Sequence, residues 1–267
     1  MALLRTFLLH LNAAFPFLYP MRHILSGHVF GGLYHFVGGI IKYRTLERGM
    51  NTGFPLRLGL TYPCYLDRYE MAGSLPKHYF WQDIWGARKV FQSGVKLHYD
   101  IGSRLDGFIA HCLPFCNVVM LDIRPLPINI EGLKFQQVDC MNMEQIEDGA
   151  ISSLSCFHAA EHFGLGRYGD SIDPLGHTKV ISEIKRVVGP GGQILFSVPI
   201  GHQRLEFNGH RIFDPMTIIR LFEGFEVIEF SVVDDDDVLH ENVSPENYRE
   251  LKYGCGLYHF KKGKVIG

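Results

Sequence analysis

From residue 79 onward, the apolar positions follow two spacings in turn. Residues 80–91 are apolar at helical spacing and stop near Gly94, which predicts an amphipathic helix. Helical patterns return at residues 105–113, 178–188 and 215–222. Short apolar or alternating runs between them predict strands. The predicted strands are residues 95–101, 118–123, 133–138, 151–157, 193–198, 227–233 and 256–260.

Strands that alternate with helices are typical of an α/β fold, here a doubly wound, mostly parallel sheet of seven strands. The run Gly189-Pro190-Gly191-Gly192 ends the second-last helix before the fifth strand. In such sheets, ligands bind beyond the carboxyl ends of the strands. Side chains at those ends are therefore the candidates for function.

The first 50 residues form a different region, an apolar, aromatic and basic extension. Residues 23–41 hold three histidines and five glycines, too many for a good membrane span. Gly31-Gly32 and Gly38-Gly39 predict breaks rather than one long helix. Two interpretations stay open. The extension packs on the domain or a second subunit, as in a homo-oligomer, which we favour, or it lies on a membrane surface.

Residues 51–78 are rich in turn formers and predict a connector or lid before the α/β domain of residues 79–267. A polar and aromatic cluster lies in this stretch. It is either ordinary loop or a cover for a substrate, and its members are Tyr62, Tyr65, Asp67, Arg68, Tyr69 and Glu70.

Composition narrows the class of protein. Of the 267 residues, 46% are hydrophobic and 20% charged, which favours a packed core over disorder. The net charge of -2 gives no reason to expect a nucleic-acid partner. The six cysteines match no zinc or redox spacing. They predict reduced, mostly buried thiols in a cytoplasmic protein.

Acidic residues stand at the ends of the first three strands of the domain. Gly102, two residues after Asp100, suits a tight turn at which a ligand approaches the backbone. Asp122, about twenty residues on, is placed to bind the hydroxyls of a ribose. Asp139 with Cys140 offers an acceptor and an apolar wall, which suit an adenine ring. The alternative is that the three acids only cap loops and helices.

This pattern resembles the class I S-adenosylmethionine (SAM)-dependent methyltransferases, from residue 79 to the end. Asp100 and Gly102 match the acid and first glycine of that family's acid-x-Gly-x-Gly-x-Gly turn, whereas Arg104 and Asp106 replace the later glycines. The Gly-rich turn before the fifth strand and two closing strands, similar to the family's reversed C-terminal hairpin, extend the match. The resemblance implies SAM as cofactor, bound by Asp100, Gly102, Ser103, Gly107, Asp122, Asp139, Cys140, Ser155 and His158. Arg104 would then block SAM, or pair with Asp122 or a substrate acid.

Three strings carry a narrower resemblance, to a group of methyltransferase-like proteins of unknown function. They are DIGSRLDGF, HAAEHFGLGRYGD and SVPIGHQRLEFNGHRIF. Bacterial members often accompany surface-polysaccharide enzymes. By that association, the resemblance implies polysaccharide biosynthesis and a sugar or glycan-precursor acceptor.

Two clusters after the fourth and fifth strands could supply a base for methyl transfer to a hydroxyl. The preferred base is His162, oriented by Glu161 or Asp170. The second choice is Glu206 with His210; on a helix these would share a face and could hold a divalent metal ion with Glu161. No zinc-like spacing supports a metal. The run of residues 234–237, four aspartates, predicts a solvated turn.

The favoured function is SAM-dependent O-methylation of a carbohydrate or another polar small molecule. Two alternatives stay open. The first is a degenerate methyltransferase-like scaffold that supports a partner enzyme, which Arg104 and Asp106 favour. The second is an oxidoreductase with a nucleotide cofactor, against which the missing full G-x-G-x-x-G argues.

Overall fold

The computed structural model of the protein describes residues 27–50, 53–69, 73 and 77–263. These residues belong to two units, 1–74 and 75–267. The predictions for residues 1–26 lie outside the described residues. No helix in the described part of the chain is long and apolar enough to cross a membrane.

The described part of the first unit contains helix α1 (His28–Glu47) and two short 3-10 turns, Leu58–Leu60 and Asp67–Tyr69. The predicted breaks at Gly31-Gly32 and Gly38-Gly39 were wrong, because α1 continues through both pairs. Gly31 and Gly32 instead give room to a neighbour. A side chain on either would collide with Tyr69 or with the backbone of Tyr65. The glycines thus permit close packing inside this unit, while a lid function for its aromatic cluster stays a prediction.

The second unit contains one mixed sheet of eight strands, ordered β3-β2-β1-β4-β5-β10-β8-β9. The strands pair in parallel from β3 to β5, and β10, β8 and β9 are antiparallel. The strands of this sheet are β1 (Leu97–Ile101), β2 (Asn117–Asp122), β3 (Leu133–Gln137), β4 (Ile151–Phe157), β5 (Val188–Ile200), β8 (Phe225–Val233), β9 (Leu239–His240) and β10 (Gly254–Lys262). The predicted fold class and the reversed C-terminal hairpin are confirmed.

Three details of the sheet escaped prediction. The two-residue β9 adds an eighth strand. β6 (Arg204–Glu206) and β7 (His210–Ile212) form a separate hairpin that the pattern did not predict. β5 begins at Val188 and includes the Gly-rich turn. It can do so because Gly189 lies against the backbone of Gly149, where a side chain would not fit.

Helices cover both faces of this sheet. α2 (His78–Ser93) and a short helical stretch, Leu105–Ile109 followed by α3 (Ala110–Cys112), bury Trp85 and Phe108 on one face. On the other face, α4 (Gly176–Val187) and α5 (Pro215–Leu221) bury Ile184 and Ile218. Five of the six cysteines are buried and all six are free thiols, as the sequence predicted. With both faces covered, the carboxyl ends of β1, β2 and β4 remain as the open edge.

Candidate functional site

Two adjoining chambers lie at the carboxyl ends of β1, β2 and β4. The first, of about 500 Å³, has mainly apolar walls, and we name it the apolar chamber. It is lined by Ile101, Gly102, Leu121, Asp122, Ile123, Arg124, Cys140, His158, Ala159, His162, Phe163, Tyr168 and Asp170. The second, of about 1460 Å³, is the polar chamber. It shares Gly102, Arg124, His158, His162 and Tyr168 with the first and adds Tyr79, Gln82, Asp83, Arg104, Phe157, Glu161, Arg167, Asn208, Gly209, His210 and Tyr253.

Gly102 makes the turn that opens both chambers. Its φ of +71° lies in the left-handed region, and a Cβ there would stand 3.2 Å from the Cβ of Ala159. Its N–H donates to the carbonyl of Leu121 at 3.0 Å. The backbone therefore passes close to β2 and β4, which suits only glycine.

Asp100 lies beneath this turn, fully buried, and does not line either chamber. It accepts hydrogen bonds from the Ser103 backbone N–H at 2.9 Å, the Ser103 hydroxyl at 2.7 Å and the Ser155 hydroxyl at 2.5 Å. Burial raises the pKa of Asp100 to about 6, although these three donors oppose the shift. Asp100, Ser103 and Ser155 thus organise the turn from below.

The hydrogen bonds continue from Ser155 into the core. His98 is fully buried and joins Ser155 at 2.9 Å to Ser153 at 2.7 Å, and Ser153 accepts from Gln193 at 2.9 Å. Since the Ser155 proton goes to Asp100, Ser155 accepts from His98 Nε2–H, and Nδ1 accepts from Ser153. Burial lowers the pKa of His98 to about 3, which keeps the ring neutral. Every group in this network has a partner when Asp100 is ionised.

Arg104 leaves the apolar chamber open. Its guanidinium donates to Asp106 at 3.0 and 2.8 Å and lies near the Tyr79 ring, at the edge of the polar chamber. Arg104 therefore does not fill the apolar chamber, and the pair with Asp122 considered from the sequence was wrong, because Arg104 pairs with Asp106. Gly107 lies outside both chambers, where its missing side chain gives room to the carboxylate of Asp83.

Asp122 lines the apolar chamber but is paired with Arg124. The Arg124 backbone N–H and Nε–H donate to Oδ1 at 2.8 and 3.0 Å, and Nη2–H donates to Oδ2 at 2.6 Å. The guanidinium also stacks over the Tyr168 ring at 4.5 Å. A carboxylate has about four acceptor positions, so about one stays open for a ligand.

Asp139 and Cys140, the two residues predicted to bind adenine, are placed differently. Asp139 accepts from the Met141 N–H at 2.9 Å and lies outside the chamber lining. Cys140 is buried and lines the apolar chamber. The arrangement supports the alternative that Asp139 caps a turn, and a contact to adenine stays a prediction.

His158 and Glu161 form a buried pair between the chambers. His158 Nδ1 donates to Glu161 Oε1 at 2.9 Å, and both side chains are at most 5% exposed. Burial lowers the pKa of His158, but nearby Cys255 and Glu161 outweigh it and the net direction is upward. The second oxygen, Oε2 of Glu161, is buried without a hydrogen-bond partner. Leaving such an acceptor unpaired costs about 1–3 kcal/mol, so this oxygen is available to a ligand.

His162 lines both chambers and has one ring nitrogen fixed. Nδ1 lies 2.7 Å from the carbonyl of Gly209, which requires the proton on Nδ1. Nε2 is then an acceptor, 3.7 Å from Glu161 Oε1. Burial lowers the pKa of His162, against the effect of Glu161. A neutral imidazole in a fixed orientation can accept a proton at Nε2.

Asp170 and Arg211 hold the loop after β4. Asp170 accepts from the backbone N–H groups of Gly164, Gly166 and Tyr168. Arg211 is buried and donates to the carbonyls of Glu161 and Phe163. Asp170 makes no hydrogen bond to His162, so its predicted role in orienting that base was wrong; Gly209 supplies the contact instead.

Glu206 and His210 face each other across the β6–β7 hairpin, not on a helix, with Oε2 and Nε2 3.0 Å apart. His210 lines the polar chamber, whereas Glu206 does not. Among the described residues, no group of three or more His, Cys, Asp or Glu side chains could hold a metal ion. The proposed metal set of Glu161, Glu206 and His210 is therefore not formed.

Several lining residues were missed by sequence reasoning. Arg124 follows Asp122 by two residues, a spacing that could have suggested the pair. Tyr79, Asp83 and Tyr253 come from the start of α2 and the approach to β10, and only the tertiary fold brings them to the chamber.

Solved structures with this fold were compared with the chain. The [4+2]-cyclase SpnF has a TM-score of 0.51 at 12% identity, covering 68% of this chain and 80% of its own. A complex between the Haloferax volcanii Trm112 methyltransferase activator and a proposed methyltransferase has a TM-score of 0.50 at 13% identity, covering 71% and 92%. N-methyltransferase NodS from Bradyrhizobium japonicum WM9, bound to S-adenosylhomocysteine (SAH), has a TM-score of 0.49 at 16% identity, covering 82% and 97%.

The fold is that of the class I SAM-dependent methyltransferases, as the resemblance implied. Residues 133–250 match the family described as Caenorhabditis protein of unknown function, DUF268. That match includes two of the three strings quoted from the sequence and begins after the first, DIGSRLDGF. No curated protein matches the sequence.

Proposed function

We propose that this protein is a SAM-dependent methyltransferase that methylates a hydroxyl of a carbohydrate or another polar small molecule. The observation that carries the proposal is the position of His162. It stands where the apolar and polar chambers meet, with Nδ1 bound to Gly209 and Nε2 free to accept a proton. A base at the junction of two binding chambers is what transfer between two ligands needs.

The residues of the apolar chamber fit SAM. Gly102 gives close access to the backbone, Cys140 contributes to an apolar wall, and Asp122 offers an acceptor to ribose hydroxyls. SAM supplies a methyl group on a sulfonium centre and leaves as the neutral thioether SAH. The reacting hydroxyl would donate to His162 Nε2 in the polar chamber and then pass its proton to that nitrogen, while a second hydroxyl of the acceptor would donate to Glu161 Oε2.

One observation keeps the non-enzymatic scaffold as a second candidate. Arg124 occupies most of the acceptor positions of Asp122, which competes with a ribose. Separately, SpnF, named as a cyclase, shares the fold, so the fold alone does not fix the reaction. The oxidoreductase is disfavoured, because strands β8 and β10 close the sheet in the methyltransferase order.

Calorimetric titration of the full chain with SAM and SAH tests the proposal, after mass spectrometry has shown that no ligand co-purified. We expect both to bind in the micromolar range. Asp122→Ala should weaken SAH binding by tenfold or more, whereas Asp236→Ala, at an exposed position that lines neither chamber, should not. Absence of binding by an empty protein would favour the scaffold.

A further inference from the structure

The polar chamber is lined by arginines from three separate turns. Arg104 follows β1, Arg124 follows β2 and Arg167 follows β4. The first two have carboxylate partners, Asp106 and Asp122. Arginine is the side chain of choice where a carboxylate or phosphate is bound, because its planar fork matches their oxygens. Convergence of three on one chamber points to an anionic ligand.

Arg167 is the arginine that lacks a compensating charge. Its Nη1–H donates to the carbonyl of Gly209 at 3.1 Å, and the guanidinium lies 5.2 Å from the Tyr168 ring centre. Among the residues that the structure describes, arginines form several ion pairs with carboxylates, and none of these pairs includes Arg167. Contact to Gly209 also puts Arg167 on the same carbonyl that orients His162. An anion bound there would lie near the proposed base.

Arg104 is free to bind the same anion as Arg167. Its pair with Asp106 is exposed, with 62% and 71% of the two side chains accessible. Exposed pairs of this kind add little to stability, so exchanging Asp106 for a ligand anion costs little.

Glu161, which also lines the polar chamber, requires a hydrogen-bond donor. Its side chain is 1% exposed, and the unpartnered Oε2 can only accept while the carboxylate is ionised. An anionic group would be repelled at this position, and a hydroxyl would be bound. The arginines and Glu161 therefore select different groups of one ligand.

We propose that the acceptor is an anionic compound with at least two hydroxyls. Its carboxylate or phosphoryl group binds Arg167 and Arg104, one hydroxyl donates to Glu161 Oε2, and the reacting hydroxyl donates to His162 Nε2. This inference rests on the proposed function and adds to it the charge of the substrate. Neutral sugars and cationic amines are excluded as preferred acceptors.

The test is calorimetric titration of the full chain, with and without saturating SAH. The probes are glucose 6-phosphate, glucuronate and neutral glucose. We expect at least one anionic probe to bind tenfold or more tightly than glucose, and the tighter of the two identifies phosphoryl or carboxylate as the preferred group. Arg167→Ala should remove the preference, while Arg167→Lys should retain part of it.

Arg220→Ala is the matched control, since it removes an exposed arginine that lines neither chamber. Equal binding of glucose, no binding of either anionic probe, or an unchanged preference in Arg167→Ala would overturn the inference. SAH binding is measured in the same samples. If SAH binds and the anionic preference is missing, the inference alone fails; if SAH does not bind, the proposed methyl transfer fails, and the titrations without SAH still decide the anion site.

Discussion

The groups beneath the apolar chamber and those facing the polar chamber differ in how their hydrogen bonds are satisfied. The turn at Gly102 rests on a hydrogen-bond network of Asp100, Ser155 and His98, in which every donor has an acceptor. In the polar chamber, Glu161 Oε2 is buried with no hydrogen-bond partner among the described residues. A satisfied network fixes a backbone, whereas a buried unsatisfied group costs free energy that a ligand can recover.

This difference distinguishes residues that support the turn from residues that could take part in a reaction. Residues that looked functional because they are polar, such as Asp100 and Ser155, support the turn from within the core. Glu161 and His162 line the polar chamber, and each has an acceptor atom without a hydrogen bond, Oε2 and Nε2 respectively. Variants in the first group should change stability and cofactor affinity, and variants in the second should change turnover.

The largest effect is expected at His162. His162→Ala should lower methyl transfer by about 10²–10⁴-fold, the usual contribution of a general base. SAH affinity should stay within about twofold, because the ring accepts the proton of the acceptor rather than holding the cofactor. The measurement is transfer of labelled methyl from SAM to an acceptor that the wild type methylates, alongside SAH titration.

His202→Ala is the control, because His202 follows the same edge of the sheet but is exposed and lines neither chamber. It should retain full activity. Wild-type turnover by His162→Ala would remove the base from the proposal.

The second effect comes from the buried charge of Asp100. Its pKa rises from 3.8 to about 6 in the folded protein, mainly through burial. The protonated carboxyl therefore contributes fully to stability below about pH 4, and this contribution is lost as the pH rises through 6. The loss is about 3 kcal/mol, because one unit of pKa shift corresponds to about 1.4 kcal/mol. Relative to wild type, Asp100→Asn should gain about this amount in free energy of unfolding between pH 4 and 7.

The difference between the two proteins in urea unfolding at each pH isolates this group from the other titrating residues. Asp236→Asn, at an exposed position of the β8–β9 turn, should show no such change. If the free energies of unfolding of wild type and Asp100→Asn differed by a constant amount from pH 4 to 7, the pKa of Asp100 would not be raised in the folded protein.

Gly102 gives a smaller effect on the apolar chamber. Gly102→Ala places a residue at φ +71° and its Cβ 3.2 Å from that of Ala159. The backbone strain costs about 1–2 kcal/mol, and the shifted turn should weaken SAH about tenfold. Gly224→Ala, at φ +91° with no atom near its Cβ, should lose comparable stability without any change in SAH affinity. Equal SAH affinity in both variants would place the cofactor elsewhere.

Sequence reasoning found the sheet more completely than the site. A strand such as β2 is a short apolar run whose burial follows from residue type alone. The course of α1 through Gly31 was missed, because that glycine serves a neighbour distant in sequence. Asp170 was misassigned for the same reason, because the carbonyl that orients His162 belongs to Gly209, and residue type at a strand end does not contain that information. Arg124 was overlooked for a different reason, since its partner Asp122 is only two residues away.

The smallest effect sharpens the comparison most, because it concerns Asp122, which lines the apolar chamber although most of its acceptor positions are already engaged. Arg124 donates two side-chain hydrogen bonds to Asp122, yet its own side chain is half exposed, so the pair contributes only about 0–1 kcal/mol to stability. Arg124→Ala should free acceptor positions for ribose hydroxyls and tighten SAH about threefold, with the melting temperature nearly unchanged. Arg220→Ala again serves as the charge-matched control. Weaker SAH binding in Arg124→Ala would mean that Arg124 orients Asp122 for the cofactor, and the acid would then belong with the satisfied scaffold beneath the turn.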